Sequence, residues 1–316
     1  MAVTTETASA GTVTTVPVSY ESAESAFRSG NYQEATRLFS SYTEHNPENA
    51  WGFYMLGLSA WKAGEPGQAL EAFDRTLTLD PTHRKSLFNS SRVLLDAGRP
   101  GEALQRVERA LTTEPLSNEG LRLLGRAKYQ LGSVDDAIEA YHRALAVDER
   151  DVWSMNNLGV IYIDQGRSAE ALPPLARAVE IRNNSPVFQN NLGTALERAG
   201  HPVEAAKAYE AAIGMDSTYQ KASISLARVT AQQGGLESEP VDLGALSAQF
   251  QSEMATWRGS FPMADSTETR DSSVTADSIS VPAPDSGVSQ IEGLSDSTKA
   301  SVESVSDTLE DCAQED

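Results

Sequence analysis

Apolar residues along most of this chain recur in steps of three and four. In the stretch LLGRAKYQLG, and again in DDAIEAYHRAL just after it, that spacing predicts two amphipathic helices joined by a short turn. The pattern then repeats. Gly30, Gly64, Gly98, Gly132, Gly166 and Gly200 stand 34 positions apart. Ala35, Ala69, Ala103, Ala137, Ala171 and Ala205 each follow a glycine by five residues, and a small residue precedes each glycine by seven: Ala23, Gly57, Ser91, Gly125, Gly159 and Gly193. A fixed period of this length marks one supersecondary unit used repeatedly. Six units result: 16–49, 50–83, 84–117, 118–151, 152–185 and 186–219. Pro47, Pro81 and Pro115 close the first three, and Glu149, Asn183 and Ser217 stand there in the others.

These positions together resemble the tetratricopeptide repeat family over about two thirds of the chain. The resemblance implies an all-α fold, a right-handed α-α superhelix of six repeats. Each unit is then two antiparallel helices, A and B, with the glycine in the turn between them. Pro66, Pro100 and Pro202 come two residues after a turn glycine, where the first residue of helix B is expected and a missing N–H costs nothing. Pro173 and Pro174 fall deeper inside helix B of the fifth unit and predict a local kink.

Beyond the repeats, residues 220–233 read as one more A-type helix, the kind of cap that covers a last apolar face. Residues 242–257 predict a second extra helix. Its stripe is Leu243, Leu246, Phe250, Met254 and Trp257, and Asp242 is the candidate N-cap. A cap on the end of the repeats is its expected role, and a docking element for a partner is the alternative. Residues 1–15 and 259–316 are poor in apolar residues and read as disordered, although Val302, Val305, Leu309 and Cys312 form a short helical stripe in the second.

Charge narrows the partners. The formal net charge is −20, and from Gly259 onward thirteen acidic residues face only Arg270 and Lys299. Such a surface argues against general binding to nucleic acid or to an anionic membrane. No apolar run approaches the ~18 residues of a membrane helix, and the N-terminus lacks the pattern of a secretory signal. Membrane insertion is not expected, and the cytoplasm is the expected setting. The lone cysteine, Cys312, permits neither an intramolecular disulfide nor a cysteine zinc site. His45, His83, His142 and His201 sit at turns or on the outer side of helix B at no metal-ligand spacing. The turns GEPGQA and GRPGEA follow helices and lack the Lys-Ser/Thr of a phosphate loop. The expectation is a protein that is not an enzyme and that holds no metal or cofactor.

The family resemblance implies an inner wall lined by helix A. The residues it places there are Trp51, Tyr54 and Trp61 in unit two, and Phe88, Asn89 and Arg92 in unit three. Arg122, Arg126 and Tyr129 follow in unit four, Trp153, Asn156 and Asn157 in unit five, and Asn190, Asn191 and Arg198 in unit six. Aromatic residues and arginine are common in recognition surfaces. The tetrapeptide NNLG, at 156–159 and again at 190–193, suggests a row of amides able to hold the main chain of an extended peptide. That row is similar to the asparagine ladder in the repeat region of O-linked N-acetylglucosamine transferases, although Leu123 interrupts it and their catalytic domain has no counterpart here. The alternative is that the asparagines bond a neighbouring helix or water, and that the tryptophans pack between repeats. The carboxylate clamp of chaperone-binding members has its nearest match at Arg122, Arg126 and Asn157, but Val187 and Asn191 do not complete it. The acidic tail is a further candidate occupant, tethered near Arg92, Arg122 and Arg126. The expected function is a non-enzymatic scaffold or adaptor that binds a protein or peptide segment in this groove. The alternatives are an assembly or targeting factor acting through the 242–257 helix, and an accessory subunit of a separate enzyme such as a glycosyltransferase.

Overall fold

The computed structural model describes residues 18–232 and 240–261. Among them are fourteen helices and no strand, the all-α class that the periodicity predicts. In A–B order the six units hold α1 (Tyr20–Arg28) and α2 (Tyr32–His45), α3 (Ala50–Lys62) and α4 (Pro66–Leu79), α5 (Arg84–Asp96) and α6 (Pro100–Thr113), α7 (Asn118–Gln130) and α8 (Val134–Val147), α9 (Val152–Asp164) and α10 (Ser168–Ile181), and α11 (Pro186–Arg198) and α12 (Pro202–Met215). Two helices follow, α13 (Gln220–Gln232) and α14 (Leu243–Ser260). The chain divides into two compact units, with the boundary between Ser86 and Leu87 inside α5.

Each A helix ends the same way. In α3 the Gly64 N–H donates to the Trp61 carbonyl at 3.0 Å, and the next residue, Glu65, donates back to Ala60 at 2.8 Å. That pair of bonds needs a left-handed residue between the helices, and Gly64 supplies it at φ 80°. The side chain of any other residue raises that conformation by roughly 1–2 kcal/mol. The small residue seven positions earlier has a different cause, which is contact. A Cβ on Gly159 would stand 2.3 Å from Leu175 Cγ, and one on Gly193 would stand 2.6 Å from Tyr209 Cε1. Ser91 occurs in the unit whose corresponding B residue is Val107, smaller than the Phe, Tyr or Leu of the other five.

Side-chain caps set where several A helices begin. Ser117, Asp151 and Ser185 accept backbone N–H groups at the starts of α7, α9 and α11. Helix α10 runs from Ser168 to Ile181 through Pro173 and Pro174, both of which are buried.

The last two helices differ in what they cover. Helix α13 packs on α12 and α11 and continues the stack. Helix α14 begins at Leu243, after Asp242 as its cap, but it does not cover the end. It lies against α8 and α10, the B helices of units four and five, with Phe250 and Met254 buried in the cluster that holds Tyr141 and Leu145. Trp257 stacks on His142, ring centroids 3.9 Å apart and 18° from parallel. The expectation of an end cap is therefore corrected: the stripe 243–257 complements a side of the stack rather than its terminus.

Two outcomes follow from this packing. Gly193→Ala should destabilise the protein by about 1–3 kcal/mol in urea unfolding, because the fully buried Tyr209 ring must shift to admit the new Cβ. Gly67→Ala, at a helical position with nothing within 4 Å of the new Cβ, should instead raise stability by up to about 1 kcal/mol. Burial holds the His142 imidazole down at about 4, below its usual 6.5. Between those values the unfolded chain takes up a proton that the folded chain refuses, so stability falls as pH drops through the window. The urea midpoint should decline from about pH 6.5 to about pH 4, and His142→Gln should remove part of that decline.

Candidate functional site

The A helices of the second compact unit are wired to one another by side chains that span about one repeat. The three arginines expected to face a ligand are part of that wiring. Arg92 pairs with Glu119 at 2.8 Å, Arg126 with Asp96 at 2.6 Å, and Arg122 with Asp151 at 3.4 Å. Arg92 and Arg126 are buried. Charges this far out of water persist only when paired, so their first role is structural. The attraction they would offer an acidic segment is largely spent on these neighbours, and residues 262–316 lie outside the described residues.

Asp151 is the centre of one such node. Besides Arg122 it accepts from the Trp153 and Ser154 N–H groups, from Ser154 Oγ at 2.6 Å and from Asn118 Nδ2 at 3.2 Å. Tyr129 makes a similar link, donating its hydroxyl to Asp164 at 2.5 Å. Burial and that bond push the tyrosine pKa well up, and burial also raises Asp164.

The aromatic residues separate into two groups. Phe88 and Trp153 are core residues. Phe88 lies against Gly120, where a Cβ would be 3.2 Å from its ring, and Trp153 meets Phe188 edge-on at 4.9 Å. Both plug the space between one A helix and the next. In the first compact unit, Tyr54 is buried against Phe73 and His83, and Trp61 is half-buried. Trp51 is 43% exposed, with Tyr20 Oη accepting from its indole and Lys85 Nζ lying 5.6 Å from its ring centroid.

Besides Arg126 Nε and Gln130 Oε1 on α7, the asparagines hold the buried atoms of this face that are not satisfied. Asn156, Asn157, Asn190 and Asn191 are all 8% exposed or less. Asn191 Nδ2 bridges from α11 to Asn156 Oδ1 on α9 at 2.9 Å, and Asn190 Nδ2 reaches Asn191 Oδ1 at 3.5 Å. Asn157 Nδ2 donates to the Tyr141 hydroxyl at 3.2 Å. Asn89, in unit three, accepts from Arg92 at 2.7 Å. So the amides do bond neighbouring helices, yet Asn156 Nδ2, Asn157 Oδ1 and Asn190 Oδ1 have no partner. Beside Asn190 and Asn191 lies a cavity of about 90 Å³, lined also by Val160, Ile163, Asp164, Thr194, Arg198, Tyr219 and Lys221. That is below the ~300 Å³ of a small-molecule site and suits a short side chain or a bend of main chain. Asn156 and Asn190, like Asn157 and Asn191, are helix A positions that the sequence places on the inner wall. The doubled asparagine in NNLG is the signal that marks them: both residues of the first copy and Asn190 of the second carry an unpartnered buried atom, whereas Asn191 has both of its side-chain atoms bonded.

Among the described residues no group of three His, Cys, Asp or Glu side chains is placed to hold a metal. No helix there is long and apolar enough to cross a membrane.

Comparison with known proteins agrees with this architecture. The model of the tetratricopeptide repeat family matches residues 20–84, 54–118, 88–151, 122–186 and 190–250. Among solved structures, a tetratricopeptide repeat protein of Thermus thermophilus is 20% identical, with 58% of this chain and all of that one covered at a TM-score of 0.51. One from Parabacteroides merdae is 16% identical over 66% of this chain and 81% of its own, at a TM-score of 0.56. MamA from Desulfovibrio magneticus is 22% identical over 52% of this chain and 92% of its own, at 0.49. These likenesses concern the fold alone. No curated protein matches by sequence.

Asp151→Ala removes a cap and the acceptor for Arg122 and Asn118 at once. It should lower stability by about 3 kcal/mol, measured by urea unfolding, with no ligand present.

Proposed function

The chain belongs to the tetratricopeptide repeat family, and from that premise we propose that it is a non-enzymatic scaffold whose A-helix face over units five and six holds an extended segment of a partner protein. One observation carries the reading: three buried amide atoms on α9 and α11 are without partners, and the residue that bears one of them, Asn190, lines a small cavity. A buried polar atom left unpaired costs roughly 1–3 kcal/mol. A peptide main chain brings N–H groups for Asn157 Oδ1 and Asn190 Oδ1 and a carbonyl for Asn156 Nδ2. Its binding therefore recovers a cost that the free protein already bears. Recognition of this kind reads backbone geometry, and the cavity between Asn190, Arg198 and Lys221 adds selection for one side chain.

The carboxylates bonded to Arg92, Arg122 and Arg126 support the same choice. A ligand recognised mainly by charge would have to displace Glu119, Asp151 and Asp96. A main chain need displace none of them.

The test uses peptides selected from a random-sequence display library against the full chain. Asn190→Ala and Asn157→Ala should each weaken the selected peptides about tenfold, a loss of about 1.4 kcal/mol. N-methylation of the peptide's central amides should do the same. Selected peptides that bind all variants equally would sink the A-face reading.

A further inference from the structure

The B-helix side of units four and five carries a surface found on no other repeat. At the position of Pro173, the other B helices have Arg37, Glu71, Gln105, Glu139 and Lys207, all exposed. At the position of Ala176 they have Ser40, Asp74, Glu108, His142 and Glu210. In α10 both places are apolar and buried, and α10 is the helix α14 lies against. Two substitutions that would be odd on a solvent-facing helix make sense as the floor of a seat.

The groove itself is a feature of the repeat stack rather than of α14. In the first compact unit the equivalent place, between α2 and α4, is an open cavity of about 320 Å³. Its lining includes Ser40, Glu71 and Arg75, the repeat counterparts of His142, Pro173 and Arg177. That version has Glu71 where the groove between α8 and α10 has Pro173, and the latter groove is filled.

What fills it is a single helix face. Phe250 and Met254 are buried, Phe250 meets Trp257 edge-on at 5.6 Å, and Trp257 covers His142. Polar contacts hold both ends: Ser247 donates to Glu180, which also takes Arg177 at 2.7 Å, and Arg258 pairs with Glu149 at 2.7 Å. The fit is incomplete. His142 Nε2 and Arg177 Nε are buried on α8 and α10 without a hydrogen-bond partner. Helix α14 has packed the apolar floor and left two polar atoms of its seat open.

We propose that the α8–α10 groove is a helix-binding site separate from the A-helix face, and that α14 is its tethered occupant. The partner it takes is an amphipathic helix of another protein. That helix repeats the aromatic, methionine and aromatic spacing of Phe250, Met254 and Trp257, and carries a carboxylate or carboxamide that reaches Arg177 Nε. Tethering gives α14 an effective concentration on the order of millimolar, so it excludes weak helices and yields only to one that makes the additional bonds.

Two measurements test this. In the first, a fluorescent peptide of residues 242–261 is titrated into the full chain and into its Phe250→Asp, Trp257→Asp variant. The variant should bind the peptide at least about 100-fold more tightly than the parent, whose own helix competes. Equal, weak binding to both overturns the proposal. In the second, hydrogen exchange is followed on the unaltered full chain, which removes any question of whether the variant folds. The amides of α14 should exchange as a separate unit, faster than those of α8 and α10. Exchange of all three helices together, only on global unfolding, makes α14 an integral part of the core and overturns the proposal. A dimer appearing in light scattering as concentration rises would assign the groove to α14 of a second copy, and would overturn the choice of a foreign helix.

Discussion

Everything in this molecule depends on how closely helix A of a repeat can lie against helix B. At Gly159 and Gly193 the side chain of the facing helix occupies the space a Cβ would need. The hairpin is therefore closed by contact as tight as in an organic crystal, where one methyl group is felt. Once each hairpin is fixed, its apolar edges have only one place to go, against the next hairpin. Phe88 and Trp153 fill that joint from one A helix to the next. The sequence of small residue, turn glycine and alanine fixes the register of all six units before any longer-range contact forms.

The A-helix face shows how polar groups live on such a frame. Its arginines do not wait for a ligand; each has a carboxylate roughly one repeat away. Its asparagines are intermediate. They tie α9 to α11 and still leave Asn156 Nδ2, Asn157 Oδ1 and Asn190 Oδ1 unpaired. In a buried setting that incompleteness is a cost, and natural proteins keep such costs where something else makes use of them.

How much of this was legible in the sequence depends on the range of the interaction. The repeats were legible in full, because the signals for them are local: a left-handed glycine, a close helix contact, a helical stripe. Placing Asn157 and Asn191 on helix A was legible for the same reason. The pairing of Arg92, Arg122 and Arg126 was not, although Glu119, Asp151 and Asp96 stood in the neighbouring units. Position within a repeat says which face a side chain is on, but not which rotamer it adopts across a joint. The seat of α14 was missed for a related reason. Its stripe was clear, but a stripe does not name its complement; Pro173 and Ala176 did, as departures from the polar residues of the other B helices. Read as a kink alone, the two prolines concealed that second meaning.

Helix α14 also changes how the protein would respond to being pulled. A stack held only by neighbours peels from its ends, one hairpin at a time. Here the chain leaves α10, builds the sixth unit and α13, and then returns to lie on α8 and α10. The sixth unit is thus inside a closed span whose two ends meet at α10. A load applied beyond Ser260 falls first on the contacts of Trp257, Met254 and Phe250, and the sixth unit carries none of it until they give way. Under tension the order of rupture is set by where the last helix lands, and the repeat nearest the C-terminus is shielded by two that come before it.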